Sequence, residues 1–185
     1  MSHLSRTDFE PLRIAVLTIS DTRTFDTDTS GQSLVDLLAA DGHVLADRAL
    51  VPDDIWQIRA RLAQWIADPQ VQVVVMTGGT GFTARDNTPQ AVAPLLDKQV
   101  EGFGELFRQV SLEEIGTSMM QSRALAGLSN GTLVACLPGS TNACRTGWIR
   151  LLSPQLDSRT RPCNFVPHLK RFAGSEVKAC ASRAS

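Results

Sequence analysis

"VVVMTGGTGFTARDNTPQAV", residues 73–92, begins as an unbroken apolar run and then gives way to Gly78, Gly79 and Gly81, an Arg85-Asp86 pair and an Asn87-Thr88-Pro89 string. Apolar residues that do not alternate with polar ones mark a strand buried on both faces. "IAVLTIS" (14–20), "VQVVVMT" (71–77) and "TLVACLP" (132–138) all read this way. Between them lie helical spacings, Ile55, Ile58, Leu62 and Ile66 in one stretch, Phe103, Leu106, Phe107 and Val110 in another, each with a charged opposite face. A weaker strand is predicted over 43–51, after a helix around "GQSLVDLLAADG" that Gly42 would cap. Alternating strands and helices predict an α/β fold, a mainly parallel sheet with helices on both faces. In such sheets ligands bind beyond the carboxyl ends of the strands. The loops after 20, 77 and 138, "SDTRTFDTDTSGQ", "TGGTGFTARDNTP" and "PGSTNAC", are therefore predicted to converge.

A chain of 185 residues with 43% hydrophobic content suits one domain, assigned to 12–172, with an N-terminal arm at 1–11 and a small, polar, flexible tail at 173–185. A net charge of −1 with mixed signs gives no long-range case for nucleic acid or an anionic membrane. Cys136, Cys144, Cys163 and Cys180 follow neither a metal-binding nor a disulfide spacing, and "MSHLSRTDFEPL" has no apolar signal core, so a reduced cytoplasm is expected. His3, His43 and His168 are too scattered to suggest zinc, and no apolar run is long enough to span a bilayer.

Glycines at 78, 79 and 81 let the backbone turn sharply and present uncovered amides to an anion, with Thr77 and Thr80 adding hydroxyls. The Walker A string is absent. Gly79, Gly81 and Ala84 satisfy Gly-x-Gly-x-x-Ala, but a dinucleotide site needs its helix to begin at once, whereas Thr88 as N-cap with Pro89 in the first turn starts it later. Asp86 in the same loop would repel a phosphate unless a cation bridged them, and carboxylate with phosphate oxygens is how Mg²⁺ is commonly held. An Asx-turn or a salt bridge to Arg85 explains Asp86 equally well.

Four strings in this order, "TGGTGFTARDNTPQAV", "VEGFGELFRQVSLEEIGTSMMQSRALAG", "LPGSTNACRTGW" and "SPQLDSRTRPCNFVPHL", resemble the molybdenum cofactor biosynthesis protein B family. That family sits in the wider molybdopterin-binding group with the molybdopterin adenylyltransferases, and the likeness covers roughly residues 12 to 170. It implies a three-layer α/β/α sandwich of the molybdopterin-binding-domain type, assembled as a homotrimer or homohexamer. It also implies, for the active members, adenylyl transfer from ATP to molybdopterin with Mg²⁺. The glycine loop would hold the pterin's terminal phosphate, Asp86 would match the family's loop aspartate, and "VPDDIWQI" points to Asp53 as a second catalytic and metal-binding aspartate. The B-type ending "RPCNFVPHL" suits the alternative of a non-catalytic molybdopterin carrier, with other enzymes of the pathway as partners.

Several positions carry two readings. Asp53 or Asp54 would cap the following helix, and both roles coexist if Asp54 caps while Asp53 faces the cleft. Ser20 and Asp21 either reach a ligand or close a turn. After Pro138 and Gly139, Ser140 or Thr141 either caps a helix or donates to a ligand. Ser122 and Arg123 belong to the implied binding set, although Arg123 equally suits an intersubunit ion pair. Trp56, Trp65 and Trp148 are expected to be packing residues.

Overall fold

The computed structural model describes residues 8–171. The tail assigned to 173–185 and residues 1–7 of the arm lie outside that range. The chain runs β1 (Arg13–Ile19), α1 (Thr29–Ala40), β2 (Val44–Val51), α2 (Ile55–Ala67), β3 (Val73–Thr77), α3 (Thr88–Val92), β4 (Lys98–Gln99) and α4 (Glu101–Ile115). It continues with β5 (Leu125–Ser129), β6 (Thr132–Leu137), α5 (Thr141–Gly147) and α6 (Ser153–Leu156). The strands form one sheet in the order β2-β1-β3-β6-β5-β4. Its first four strands are parallel and the last two antiparallel.

The non-alternating runs do what their composition requires. Along β1, Ile14 and Val16 enter one core with Leu34, Phe107 and Trp148, while Ala15, Leu17 and Ile19 enter another with Ile58, Leu62 and Trp65. β3 splits in the same way, Val73 and Val75 to one side and Val74 and Met76 to the other. Helices α1, α4 and α5 therefore cover one face of the sheet and α2 and α3 the other. A Phe107→Ala change in so dense a core would cost about 3–5 kcal/mol.

The antiparallel edge was not foreseen. Asn130 and Gly131 have φ of 48° and 71°, the left-handed pair that a two-residue hairpin needs, and they join β5 to β6. On α4 the buried side chains are Phe103, Phe107 and Ser111, whereas Leu106 is 46% exposed, contrary to its assignment to the apolar face. Gly104 explains the rotation, because a Cβ there would lie against the Ala124 carbonyl oxygen, so α4 packs its glycine onto the start of β5. Trp65 and Trp148 pack as expected, but Trp56 is 72% exposed with Arg59 over its ring at 5.0 Å.

Register sets up the site. Thr18 of β1 pairs with Thr77 of β3, Thr77 with Leu137 of β6, and Ile19 with Val51 of β2, so four strands end level with one another.

Candidate active site

The three loops meet, as the sheet topology demands. They line a cavity of about 440 Å³ to which Ser20, the 77–81 loop, Asp86 and Gly139 all contribute. The loops are tied together by main-chain and short side-chain bonds. The Gly78 amide donates to the Leu137 carbonyl at 3.1 Å, and the Thr77 hydroxyl donates to the Pro138 carbonyl at 3.0 Å while accepting the Cys144 thiol at 3.1 Å. Burial pushes that thiol up to about 11, so Cys144 stays protonated and serves as a donor. At Gly78, φ is 106° and a Cβ would overlap the Ile19 carbonyl oxygen, which makes glycine obligatory there.

With its amide committed to β6, Gly78 contributes space and no donor to an anion. The amides of Gly79 and Thr80 have no hydrogen-bond partner among the described residues. At the far end of the loop Asp86 Oδ2 accepts from the Thr83 amide at 2.9 Å and from the Thr83 hydroxyl at 2.6 Å. The Thr83 hydroxyl, more than any other partner, holds the Asp86 carboxyl below the usual carboxylate range, and so Asp86 is a persistent anion at the cavity wall. The Arg85 reading for Asp86 does not hold in the structure: Arg85 pairs instead with Asp21, Nη2 to Oδ1 at 2.6 Å.

Asp53 is only 8% exposed and lies behind the loop. Its Oδ1 accepts from the Asn87 amide at 3.0 Å, and its Oδ2 stands 2.6 Å from where a Cβ on Gly79 would be. Burial raises its pKa, the Asn87 amide offsets part of this, and the charges of Asp86 and Asp21 raise it further. Asp53 and Asp86 thus share one side of the molecule and repel each other. Asp54 does the capping, accepting from Trp56 and Gln57 amides at 3.0 and 2.9 Å. That division of labour leaves the Asp53 carboxylate free of the helix.

Other assigned residues have separate placements. Ser122 lines the cavity. Ser140 caps α5 through the Ala143 amide at 3.1 Å, so its hydroxyl is engaged in the fold. Asp21, besides pairing with Arg85, accepts the Asp53 amide at 3.1 Å. Arg123 anchors the glycine loop from behind, donating to the carbonyls of Thr80, Gly81 and Asp86 and stacking on Phe82 at 5.2 Å. Thr88 is not the cap of α3. Asn87 holds that position without a capping side-chain bond, and the Thr88 hydroxyl donates to the Gly78 carbonyl at 2.9 Å, bracing the loop instead.

The cavity is also lined by Thr18, Arg23 and Ser30, and by Ile115, Ser118 and Gln121, none of which the sequence pattern singled out. Arg23 was legible in principle as a cation in a converging loop. The second group lies at the end of α4 and in the turn Gly116–Gln121, where nothing in the pattern signalled a cavity.

Hard oxygen donors suit Mg²⁺, which keeps waters and substrate phosphates among its ligands. Among the described residues no group of three or more His, Cys, Asp or Glu could hold a metal by itself. Asp86 on the cavity wall, with Asp53 behind the loop, would supply two such donors to a cation that takes its other ligands from a bound phosphate.

An α/β sheet whose level strand ends carry a glycine cradle and an acidic pair defines a small-molecule-binding domain. Its family is described as "Probable molybdopterin binding domain", and the match spans residues 15–158. The "Molybdenum cofactor biosynthesis protein B" of Escherichia coli strain K12 is 55% identical over 171 residues, covering 92% of this chain and all of that protein. The protein of the same name from Staphylococcus aureus strain MRSA252 is 44% identical, covering 79% of this chain and 88% of its own. A crystal structure of "Molybdenum cofactor biosynthesis protein B" superposes with a TM-score of 0.78 at 44% identity, covering 80% of this chain and 92% of the other. The chain belongs to the molybdenum cofactor biosynthesis protein B family. That membership places it in molybdenum cofactor biosynthesis. No helix among the described residues is long and apolar enough to cross a membrane.

Proposed function

We propose that the chain binds molybdopterin in the cavity and transfers an adenylyl group to it from ATP with Mg²⁺, releasing pyrophosphate. The observation that carries this reading is the placement of Asp86 on the cavity wall with Asp53 close behind it, beside the two unpaired amides of Gly79 and Thr80. Those amides hold the pterin's terminal phosphate. An oxygen of that phosphate attacks the α-phosphorus of ATP, the new P–O bond replaces the bond to the β-phosphate oxygen, and pyrophosphate leaves. Asp86 and Asp53 would hold Mg²⁺, which neutralises phosphate charge when bound. Arg123 keeps the loop carbonyls turned away from the anion, since it draws three of them to itself. No thiol or imidazole is required, in keeping with a chemistry of alignment and charge neutralisation.

Asp86→Asn preserves the shape of the loop and removes the charge. It is expected to lower pyrophosphate release by about 100-fold or more with the fold unchanged, the size of effect seen when a transition-state electrostatic contact is lost. Normal turnover with ATP, Mg²⁺ and molybdopterin would refute the assignment.

One observation favours the carrier reading: Asp53 is absent from the cavity lining and sits beneath Gly79. Calorimetry separates the two. Pterin binding that is indifferent to ATP and Mg²⁺ selects the carrier, and pyrophosphate release on mixing all three selects the enzyme. The homo-oligomer belongs to the same proposal, supported by the exposed Leu112, Ile115, Met120 and Ile149 on adjoining elements. Sedimentation at micromolar concentration should show a trimer or hexamer, and a monomer would remove it.

A further inference from the structure

The side chains lining the cavity include two charged ones, Arg23 and Asp86. Asp86 flanks the Gly81 end of the glycine loop, where a Cβ on Gly81 would come within 2.8 Å of its Oδ2. Arg23 flanks the Gly78 end: its Nη2 donates to the Gly139 carbonyl at 3.3 Å, and Gly139 in turn packs against Gly78, whose Cα would be 3.2 Å from a Cβ placed there. The cavity is therefore polarised along the loop, positive at one end and negative at the other.

The positive end is a surplus charge. Asp28, fully buried, faces both Arg23 and Arg48, at 3.6 and 3.0 Å. One carboxylate cannot neutralise two guanidiniums, and the shorter contact goes to Arg48. Arg23 is the more exposed of the two, its side chain 31% accessible against 16% for Arg48. Its orientation is fixed, with Nη1 donating to the Ser30 hydroxyl at 2.6 Å and its own amide donating to the Ser20 hydroxyl at 3.2 Å. A guanidinium has five N–H donors, and the bonds to Ser30 and Gly139 use two of them. A cation anchored by part of its fork, with further donors on a cavity wall, is built to receive a phosphate.

We infer that Arg23 is the cationic contact for the terminal phosphate of the ligand, and that the Arg23-to-Asp86 polarity fixes which way the ligand lies. The phosphate sits at the Gly79 and Thr80 amides on the Arg23 side, leaving the Asp86 end to the cation and nucleotide. This assignment rests on the pterin reading above, but its chemistry is that of any phosphate monoester.

Titrations of wild type, Arg23→Gln and Arg23→Lys against molybdopterin, its dephosphorylated form and inorganic pyrophosphate test it, with thermal unfolding confirming that each variant folds. Arg23→Gln should weaken molybdopterin binding by roughly 10- to 100-fold, the worth of a hydrogen bond to a charged group, and should flatten its salt dependence. Arg23→Lys should recover part of the loss, because it restores charge without the fork. The dephosphorylated pterin should bind all three proteins alike. Equal losses for both pterins would mean that Arg23 only ties the loop to Gly139, and the inference would fall. If wild type binds neither pterin yet binds pyrophosphate in an Arg23-dependent way, the pterin reading fails and the anion contact stands. Pyrophosphate and molybdopterin affinities indifferent to Arg23 would overturn the contact itself.

Discussion

Asp28 and Asp53 occupy equivalent places in the topology, each between a strand and the helix that follows it, and each is buried. Their surroundings differ. Asp28 accepts from the Thr18 hydroxyl at 2.7 Å and the Gly31 amide at 2.9 Å and pairs with Arg48. Burial raises its pKa, yet these partners together bring it below the usual range. Asp53 has one amide for a partner and two carboxylates for neighbours, and its pKa is raised. A buried carboxylate saturated with donors is part of the scaffold. One held near other acids gains most when a cation arrives, and on that ground Asp53 is proposed as the functional member of the pair.

The largest test of that contrast is stability. Asp28→Asn removes the charge that two arginines share, and breaking a buried pair of this kind costs about 3–5 kcal/mol. Asp53→Asn keeps an acceptor for the Asn87 amide and removes a repelled charge, so denaturant unfolding should show no loss. A large loss in Asp53→Asn and none in Asp28→Asn would reverse the assignment of roles. A smaller effect separates neighbours: Asp54→Ala should cost about 1 kcal/mol for the lost N-cap and leave pyrophosphate release intact. Equal loss of activity on removal of Asp54 would show that the two adjacent aspartates do not divide their work.

The smallest effect is the sign of the pH dependence. The folded pKa of Asp28 is lowered, so its contribution to stability is present above the ordinary value of 3.8 and is lost as pH falls through the lower folded value. The folded pKa of Asp53 is raised, so its contribution is favourable while it is protonated and fades as pH rises from 3.8 through the higher folded value. Stability differences between wild type and each Asn variant, followed by denaturation across the acid range, should therefore slope in opposite directions. Parallel slopes would erase the distinction.

Much of the sheet could be read from the chain because a doubly buried strand needs a continuous apolar run, and β1, β3 and β6 have one each. The hairpin carrying β5 carried a signal too, Asn130-Gly131, but β5 is short and holds small residues such as Ala126 and Gly127 that dilute its pattern. Leu106 looked buried from spacing alone, and the close approach at Gly104 that turns α4 depends on β5. In the site, the glycine loop and Asp86 were legible because local chemistry dictates them. Arg23 to Gly139, Arg85 to Asp21 and Arg123 to the loop carbonyls were not, since these bonds join residues 116, 64 and about 40 positions apart, and only the folded sheet selects such partners.

The proposed cation site is the Asp53 and Asp86 pair beside the glycine loop. Electron paramagnetic resonance of Mn²⁺ with ATP measures this directly through the signal of protein-bound metal. Wild type and Asp54→Ala should give that signal, and Asp86→Asn should lose it. Undiminished Mn²⁺ binding in Asp86→Asn would mean that the metal is held without the loop carboxylate, and the proposed site would fall.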